Sequence, residues 1–534
     1  MPLPPPTAVR RPARAAPPPD GRRRPATGLR LAGITALLGV LALVAPAPAG
    51  AAPLRYAEDQ APGILNPLFT TTMSEVRANE LIFEGLYGDD RNLASAPVLA
   101  TGITVAADRL SADVQLRQGV RWHDGRPFSA EDVAFTIRAM KDPGTLSTEA
   151  GRVAFISGVE VIDGQTLRLR FARPEPAPEE KLHFKILPAH AFSGTAVQRS
   201  DPFRAQPIGT GPYRFVRFNS DNSVTLAAHA ENRKPPRIPE VTLREVADKN
   251  YQAKLLLYET LEALVRVLPR DLAILQNNRG VELHPYQTNA WWYLGFNLSR
   301  PTWADPRARE ALALMVDRQA LLAPVGTGDL LSGPFVRSSP YYNHEVSDWR
   351  PDPAKAAALL EAAGYRRDGA SWTRNGQPLT LQITAPKGLE SAQEVVINLQ
   401  SQLQAQGVKV EVRFLDEASW KANIWRARDF DLVVSQWSFD RNEDVREQLH
   451  SKGTRNFVGY KNPAADALLD KAQAATTPAE KKAALRELHG LVHNDVPMVF
   501  LWTLDSYAAM SVKVREVVVH PFSFFSWVRD WQIK

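Results

Sequence analysis

Four times in the second half of this chain, a residue able to cap a helix stands directly before proline: Asp305-Pro306, Asp352-Pro353, Asn462-Pro463 and Thr477-Pro478. The cap side chain can accept a bond from an unpaired amide of the first turn. Proline in the next position has its φ already set and no amide to satisfy. Each pair therefore predicts a helix start, and Glu480, three residues after Thr477, completes a capping box. The helix from Pro353 is expected to end at Gly364, and one from about Glu390 at Gly407, where glycine can turn left-handed. Straight after it, Val408, Val410, Val412 and Phe414 alternate as a strand does. Helices taking turns with strands predict α/β lobes around partly parallel sheets.

The first half is also mixed. Leu110–Leu116 and Thr166–Phe171 alternate apolar and polar residues, the second after the turn pair Asp163-Gly164. Between them Ser129-Ala130-Glu131-Asp132 opens a helix expected to run through Met140. Val496–Trp502 and Val512–His520 read as late strands. At 534 residues the chain exceeds one compact core, so two or more lobes are expected.

The net charge of +6, taken alone, suggests a nucleic acid or an anionic membrane as partner. Residues 1–51 hold seven arginines and one acid, Asp20; removing them from the 64 basic and 58 acidic residues leaves 57 of each. The excess is confined to one segment. That segment passes from arginine and proline into an uncharged run of fifteen residues, Leu31–Ala45, then into Pro46-Ala47-Pro48-Ala49-Gly50-Ala51-Ala52. This is the order of a secretory signal peptide, with cleavage expected near Ala49–Ala52. The apolar run falls short of the roughly twenty residues that span a bilayer. The chain has no cysteine, which excludes disulfides, thiol nucleophiles and a lipid-modified cysteine tether. An exported, unanchored protein with no nucleic-acid partner is expected.

Catalytic motifs are missing: there is no G-x-S-x-G elbow, P-loop, dinucleotide fingerprint or H-E-x-x-H. His489 and His493 are spaced as metal ligands, but Gly490 stands where a metalloprotease has glutamate, and a solvated helix face is expected. Glu259 and Glu262 are likewise expected on a solvated helix face. Gly209-Thr210-Gly211-Pro212 could cradle a phosphate, yet its proline removes an amide, so a structural turn is expected. No enzyme, cofactor or metal is expected: such a chain binds rather than reacts.

Leu116–Met140 reads LRQGVRWHDGRPFSAEDVAFTIRAM. With Asn66-Pro67-Leu68, Leu81–Tyr87, Pro207–Phe215, Trp292–Asn297, Asp431–Asp440 and Asn456–Asp470, in that order, it resembles the bacterial extracellular solute-binding proteins of family 5, which serve peptide and nickel ABC importers. The resemblance runs from about Leu54 to the end. It implies an α/β, two-lobed periplasmic binding protein fold with an extra subdomain in the first lobe and the ligand between lobes joined by two hinge strands. The implied division is a signal peptide over 1–52, lobe I over 53–290 plus 502–534 with a subdomain near 91–206, and lobe II over 291–501. The crossings would fall near Ala290–Asn297 and Met498–Asp505. A monomer in the periplasm is implied, delivering di- or oligopeptides to an inner-membrane ABC permease and its ATPase subunits.

Peptide binders of this family hold the ligand's ammonium on an aspartate three residues after a tryptophan. Trp437-Ser438-Phe439-Asp440 has that spacing, which makes Asp440 the implied anchor. Trp437, Ser438, Phe439, Trp292, Asn297, Tyr56 and Asn66 are further expected ligand contacts. Aromatic faces suit a cleft that accepts varied side chains. Trp122 and Asp124, inside the signature, are read as structural. Some oligopeptide members carry arginine three residues before the tryptophan, where this chain has Val434. Another basic residue would then meet the ligand's carboxylate, or that end is modified or unpaired. An opine, oligosaccharide, chelated metal or peptide antibiotic could fill the same transport role. A secreted peptide hydrolase would need a nucleophile or metal that the sequence lacks. A transcriptional regulator would need a helix-turn-helix module that residues 1–30 cannot form.

Overall fold

The computed structural model describes residues 52–439 and 442–534. The expected leader lies outside them except for Ala52. One lobe is built on a mixed sheet in the order Val281–Gln287, Trp502–Ser511, Ala263–Leu264, Leu54–Glu58, Glu240–Glu245, Val224–Ala228, Tyr213–Phe218. The other holds a five-stranded sheet in the order Lys409–Leu415, Thr380–Pro386, Leu432–Ser438, Ala290–Phe296, Met498–Phe500. A separate antiparallel sheet of four strands within residues 100–171 packs with the helix Ala130–Lys141 as a subdomain.

The strand Ala290–Phe296 is apolar throughout because both its faces are covered. Trp292, Leu294 and Phe296 enter one core, with the helices Pro306–Met315, Pro353–Ala362 and Ala392–Ala405. Trp291 and Tyr293 enter the other, with Pro463–Ala474 and Pro478–Asp495. All four cap–proline pairs open helices, and each cap side chain accepts a backbone amide as expected. The helix that opens at Pro306 ends at Met315, and Asp317 caps a second one, Arg318–Leu322. The expected strand Val512–His520 shrinks to Val514–Arg515. It stops where Glu516 takes a left-handed backbone at φ 58°; further on, the His520 Nδ1 accepts the amides of Phe522 and Ser523 at 3.0 and 2.9 Å, folding the chain into a turn.

The chain passes between the two large sheets twice, and the passages are neighbours. Val281–Gln287 pairs antiparallel with Trp502–Ser511 in one sheet, and Ala290–Phe296 pairs with Met498–Phe500 in the other. The crossings are therefore at residues 288–289 and over Leu501–Leu504, where Trp502–Leu504 pair with Gly328–Leu330 before the ladder to Gln287 begins at Asp505. The Leu501 amide donates to the Trp292 carbonyl at 2.8 Å, and the Trp292 and Trp502 rings stack at 5.9 Å.

Gly209 and Gly211 form a structural turn. A Cβ on Gly209 would lie 1.8 Å from the Ile82 carbonyl oxygen, and one on Gly211 2.5 Å from that of Leu81. The Gly211 amide instead donates to Ile82 at 2.9 Å. Gly209→Ala should therefore force two backbones apart and cost about 3 kcal/mol. Thermal unfolding of the variant checks this; an unchanged melting temperature would refute the close approach.

Candidate functional site

The strand Leu432–Ser438 ends in an aromatic cluster. The Trp437 ring lies parallel to Tyr293, with centroids 6.3 Å apart and planes 4° apart, and also meets Trp425 and Phe457. Phe439 stacks on Trp291 at 5.6 Å, and its amide donates to the Asn289 carbonyl at 2.8 Å. This bond ties the strand's end to the first crossing. Ser438 is exposed, and its hydroxyl accepts from Gln436 at 3.2 Å. Trp425 is 42% exposed and sits on a π-helical turn, Lys421–Arg426. Asp440 lies outside the described residues.

The chain then runs into the wall of a cavity of about 840 Å³, within the ~300–1,000 Å³ typical of small-ligand sites. Asn442–Arg446 form part of one wall. The Asp444 carboxylate accepts the Arg446 amide at 2.9 Å, and buried Glu443 takes the Ser339 hydroxyl from a left-handed backbone at φ 47°. Tyr341 and Lys481 continue that wall. The Lys481 ammonium lies 5.2 Å from the Tyr341 ring centroid. Burial works against its charge, but the Tyr341 hydroxyl, Glu180 and Asp444 outweigh burial and raise its pKa. The opposite wall belongs to the subdomain, where Ala172–Ala177 and Glu180–Lys181 face the cavity. The cavity thus lies between two bodies of the fold and carries both signs of charge.

The structure does not bring Trp437, Ser438, Phe439, Trp292, Asn297, Tyr56 or Asn66 to the lining of this cavity. Trp292 is 2% exposed, in the core beside the crossing. The Asn297 amide donates to the carbonyls of Arg428 and Phe430, both at 2.8 Å, and its oxygen accepts from Ser299. Asn66 accepts the Leu68 amide at 3.0 Å and caps a short 3-10 turn. Tyr56 is buried against Phe525 at 4.9 Å, in lobe I. Charged groups surround it: Glu58 is forked by Arg77 at 2.6 and 2.5 Å, and Glu84 is held by Arg233 and Arg529 at 2.7 and 2.6 Å.

Three other expectations resolve. His489 and His493 are not solvated: His489 is fully buried, bonds Ser332 at 2.9 Å and is held by burial at about 3, so it stays neutral. His493 stacks on Trp349 at 4.6 Å. Glu262 is buried and forked by Arg55, because the helix ends at Leu257 before either acid. Trp122 is buried and donates to Asp132 at 3.3 Å, while Asp124 pairs with His190 at 2.7 Å, both structural as expected. Among the described residues no His, Cys, Asp and Glu group could hold a metal, and no helix is long and apolar enough to cross a membrane.

Sequence reasoning missed the subdomain wall. The proline run Pro174-Glu175-Pro176-Ala177-Pro178 after a strand was its one signal, since it predicts a stiff segment rather than a mobile loop.

Glu80 belongs to the charged cluster around Tyr56. Burial pushes its carboxyl up to about 7, against the Phe525 amide, Lys185 and Arg77. Its folded pKa thus exceeds the unfolded value near 4.5, so its contribution to stability is full below about pH 4.5 and lost as pH rises through about 7. Glu80→Gln keeps an acceptor for the Phe525 amide. Variant and wild type should melt together below about pH 4.5, diverge between pH 4.5 and 7, and stay apart above pH 7 with the variant more stable by ~3 kcal/mol. Parallel melting curves from pH 5 to 9 would refute this.

Comparison with known proteins gives a consistent result. The sequence model of the bacterial extracellular solute-binding proteins, family 5 (middle region), matches residues 95–459. The glutathione-binding protein GsiB of Pectobacterium atrosepticum is 28% identical over 464 residues, 83% of this chain and 87% of that protein. The oligopeptide-binding protein AppA of Bacillus subtilis, solved with a nonapeptide, superposes with a TM-score of 0.72 at 21% identity, over 90% of this chain and 99% of that one. NikA of Brucella suis, solved with Fe(III)-EDTA, gives 0.81 at 20% identity, over 90% and 100%. The structural likenesses establish the fold, a two-lobed periplasmic binding protein.

Proposed function

Because this chain belongs to the bacterial extracellular solute-binding proteins of family 5, we propose that it captures small peptides outside the inner membrane and presents them to an ABC permease and its ATPase subunits. The family is one of binding proteins rather than enzymes. The observation that carries the reading is the cavity between the subdomain and the loop that follows Trp437. It is large enough for a short peptide, has apolar patches for side chains, and bears charges of both signs for the two ends. The glutathione for which the Pectobacterium relative is named sets the scale: it is a tripeptide with one ammonium and two carboxylates.

In this reading Asp440 receives the ligand's ammonium, with Trp437, Ser438 and Phe439 beside it. Closure desolvates the pair, which makes a lone partner costly. The lobes are assigned as 53–290 plus 502–534, with the subdomain near 91–206, and 291–501. Division of the hydrophobic cores between these segments supports that assignment. The mature protein is assigned as a monomer, cleaved near Ala49–Ala52 and free in the periplasm.

Native mass spectrometry of the purified mature protein should show a set of small peptide masses, released on denaturation. Asp440→Ala should lose them, with affinity falling by about 3–5 kcal/mol, or more than a hundredfold. A single non-peptide mass that survives this substitution would replace the peptide reading with another solute class, such as an opine or a sugar.

A further inference from the structure

The second crossing is not a bare length of chain. The strand Gly328–Leu330, which comes from the 291–501 segment, pairs antiparallel with Trp502–Leu504. Two backbone bonds extend that ladder at its ends. The Asp505 amide donates to the Thr327 carbonyl at 2.9 Å, and the Leu331 amide to the Leu501 carbonyl at 3.2 Å. A Cβ on Gly328 would lie 2.0 Å from the Thr503 carbonyl oxygen, so this close approach requires glycine.

The strap so formed is rooted in lobe II. Arg318, 1% exposed, donates to the carbonyls of Leu331, Phe500 and Trp349 at 2.6, 2.8 and 2.8 Å. Arg337 donates to the Leu330 carbonyl and the His493 Nδ1 to that of Ser332, both at 2.9 Å. Leu331 enters the same core as Tyr293 and Phe500. Toward the first crossing the strap reaches with Asp329, whose carboxylate accepts the Gln287 side-chain amide at 3.2 Å. Gln287 is the last residue of the lobe I ladder, and residues 288–289 follow it directly. Rotation there carries Gln287 with lobe I and leaves Asp329 with lobe II. The bond is therefore made at one lobe angle and stretched at others, and a contact that differs between two arrangements shifts their populations.

We infer that Asp329 is a positioning residue for ligand capture: acting through Gln287, it holds the lobes at the angle of this structure and so tunes affinity from outside the cavity. Neither residue lines the cavity. Apparent affinity depends on the fraction of molecules already in the binding arrangement, which is the quantity this contact sets. The choice of ligand rests on the peptide reading above; the hinge contact does not.

The chain has no cysteine, so Arg214→Cys on lobe I and Gln393→Cys on lobe II, both exposed positions, can carry a pair of spin labels. Their separation is measured without ligand by double electron–electron resonance. Asp329→Ala and Gln287→Ala should each displace or broaden the separation in the same way, and the double substitution should add nothing further. Asp329→Asn, which keeps an oxygen acceptor, should stay near wild type. The dissociation constant for trialanine, followed by native mass spectrometry, should change by about threefold to tenfold and equally in both alanine variants, the worth of one hydrogen bond. Melting curves confirm that each variant is folded. Separations unchanged in both alanine variants, or effects that add in the double variant, would overturn the inference and leave the peptide reading standing. Separations that shift as expected while wild type captures no trialanine would uphold the hinge contact and sink the peptide reading.

Discussion

Everything in this architecture depends on two chain crossings that lie side by side. Hydrogen-bonded strand pairs continue on both sides of them, from Gln287 opposite Asp505 in one sheet to Tyr293 opposite Phe500 in the other. Between the pairs lie residues 288–289 on one strand and 501–504 on the other, where Trp502–Leu504 also pair with Gly328–Leu330. Backbone rotation can concentrate there while the sheets stay rigid, which is the physical content of a hinge. The stacked Trp292 and Trp502 rings beside the crossing resist shear but leave the peptide torsions unlocked. The Phe439–Asn289 bond couples this hinge to the loop that enters the cavity. A rotation at residues 288–289 therefore moves one wall of the cavity with it.

Away from the cavity the lobes meet along the ladder of Gly328–Leu330 with Trp502–Leu504 and at one exposed ion pair. Arg266 meets Glu390 at 2.8 Å, but both side chains are about half exposed. Such pairs are worth ~0–1 kcal/mol, so this one cannot hold the lobes together unaided. A receptor that must release its cargo needs a closed state only slightly favoured without ligand. The cavity's own charges can then decide the balance.

Local signals in the sequence were reliable where one residue acts on its own backbone. Cap–proline pairs, the Ser129–Asp132 box and the alternation of Thr166–Phe171 all depend on neighbours a few positions away, and all appear as read. Contacts chosen by chemistry alone fared differently. Asn297 and Asn66 have side chains suited to a ligand, yet their own loops use those groups to satisfy backbone atoms. The strand expected over Val512–His520 stops at the left-handed Glu516, a backbone turn that no period-two pattern can register. Arg173 lies two residues after a strand in a proline-rich stretch, and only the assembled subdomain shows that it faces a cavity. The fold was legible because its signals are local; the cavity was not, because its walls are distant in the chain.

The charged cluster of the first lobe has a consequence for the order in which the protein can take shape. Glu80 accepts the Phe525 amide, Glu84 holds Arg529, and Asp530 joins Arg91 to Lys234. Phe524, Phe525, Val528 and Trp531 complete the same hydrophobic core as Leu54 and Tyr56. Residues near the beginning of the first lobe's sheet thus wait for residues near the end of the chain, more than 440 positions away. A nascent chain emerging from the ribosome lacks this final piece, leaving buried acids without their donors and a core without its last aromatic rings. The lobe cannot close until synthesis is finished.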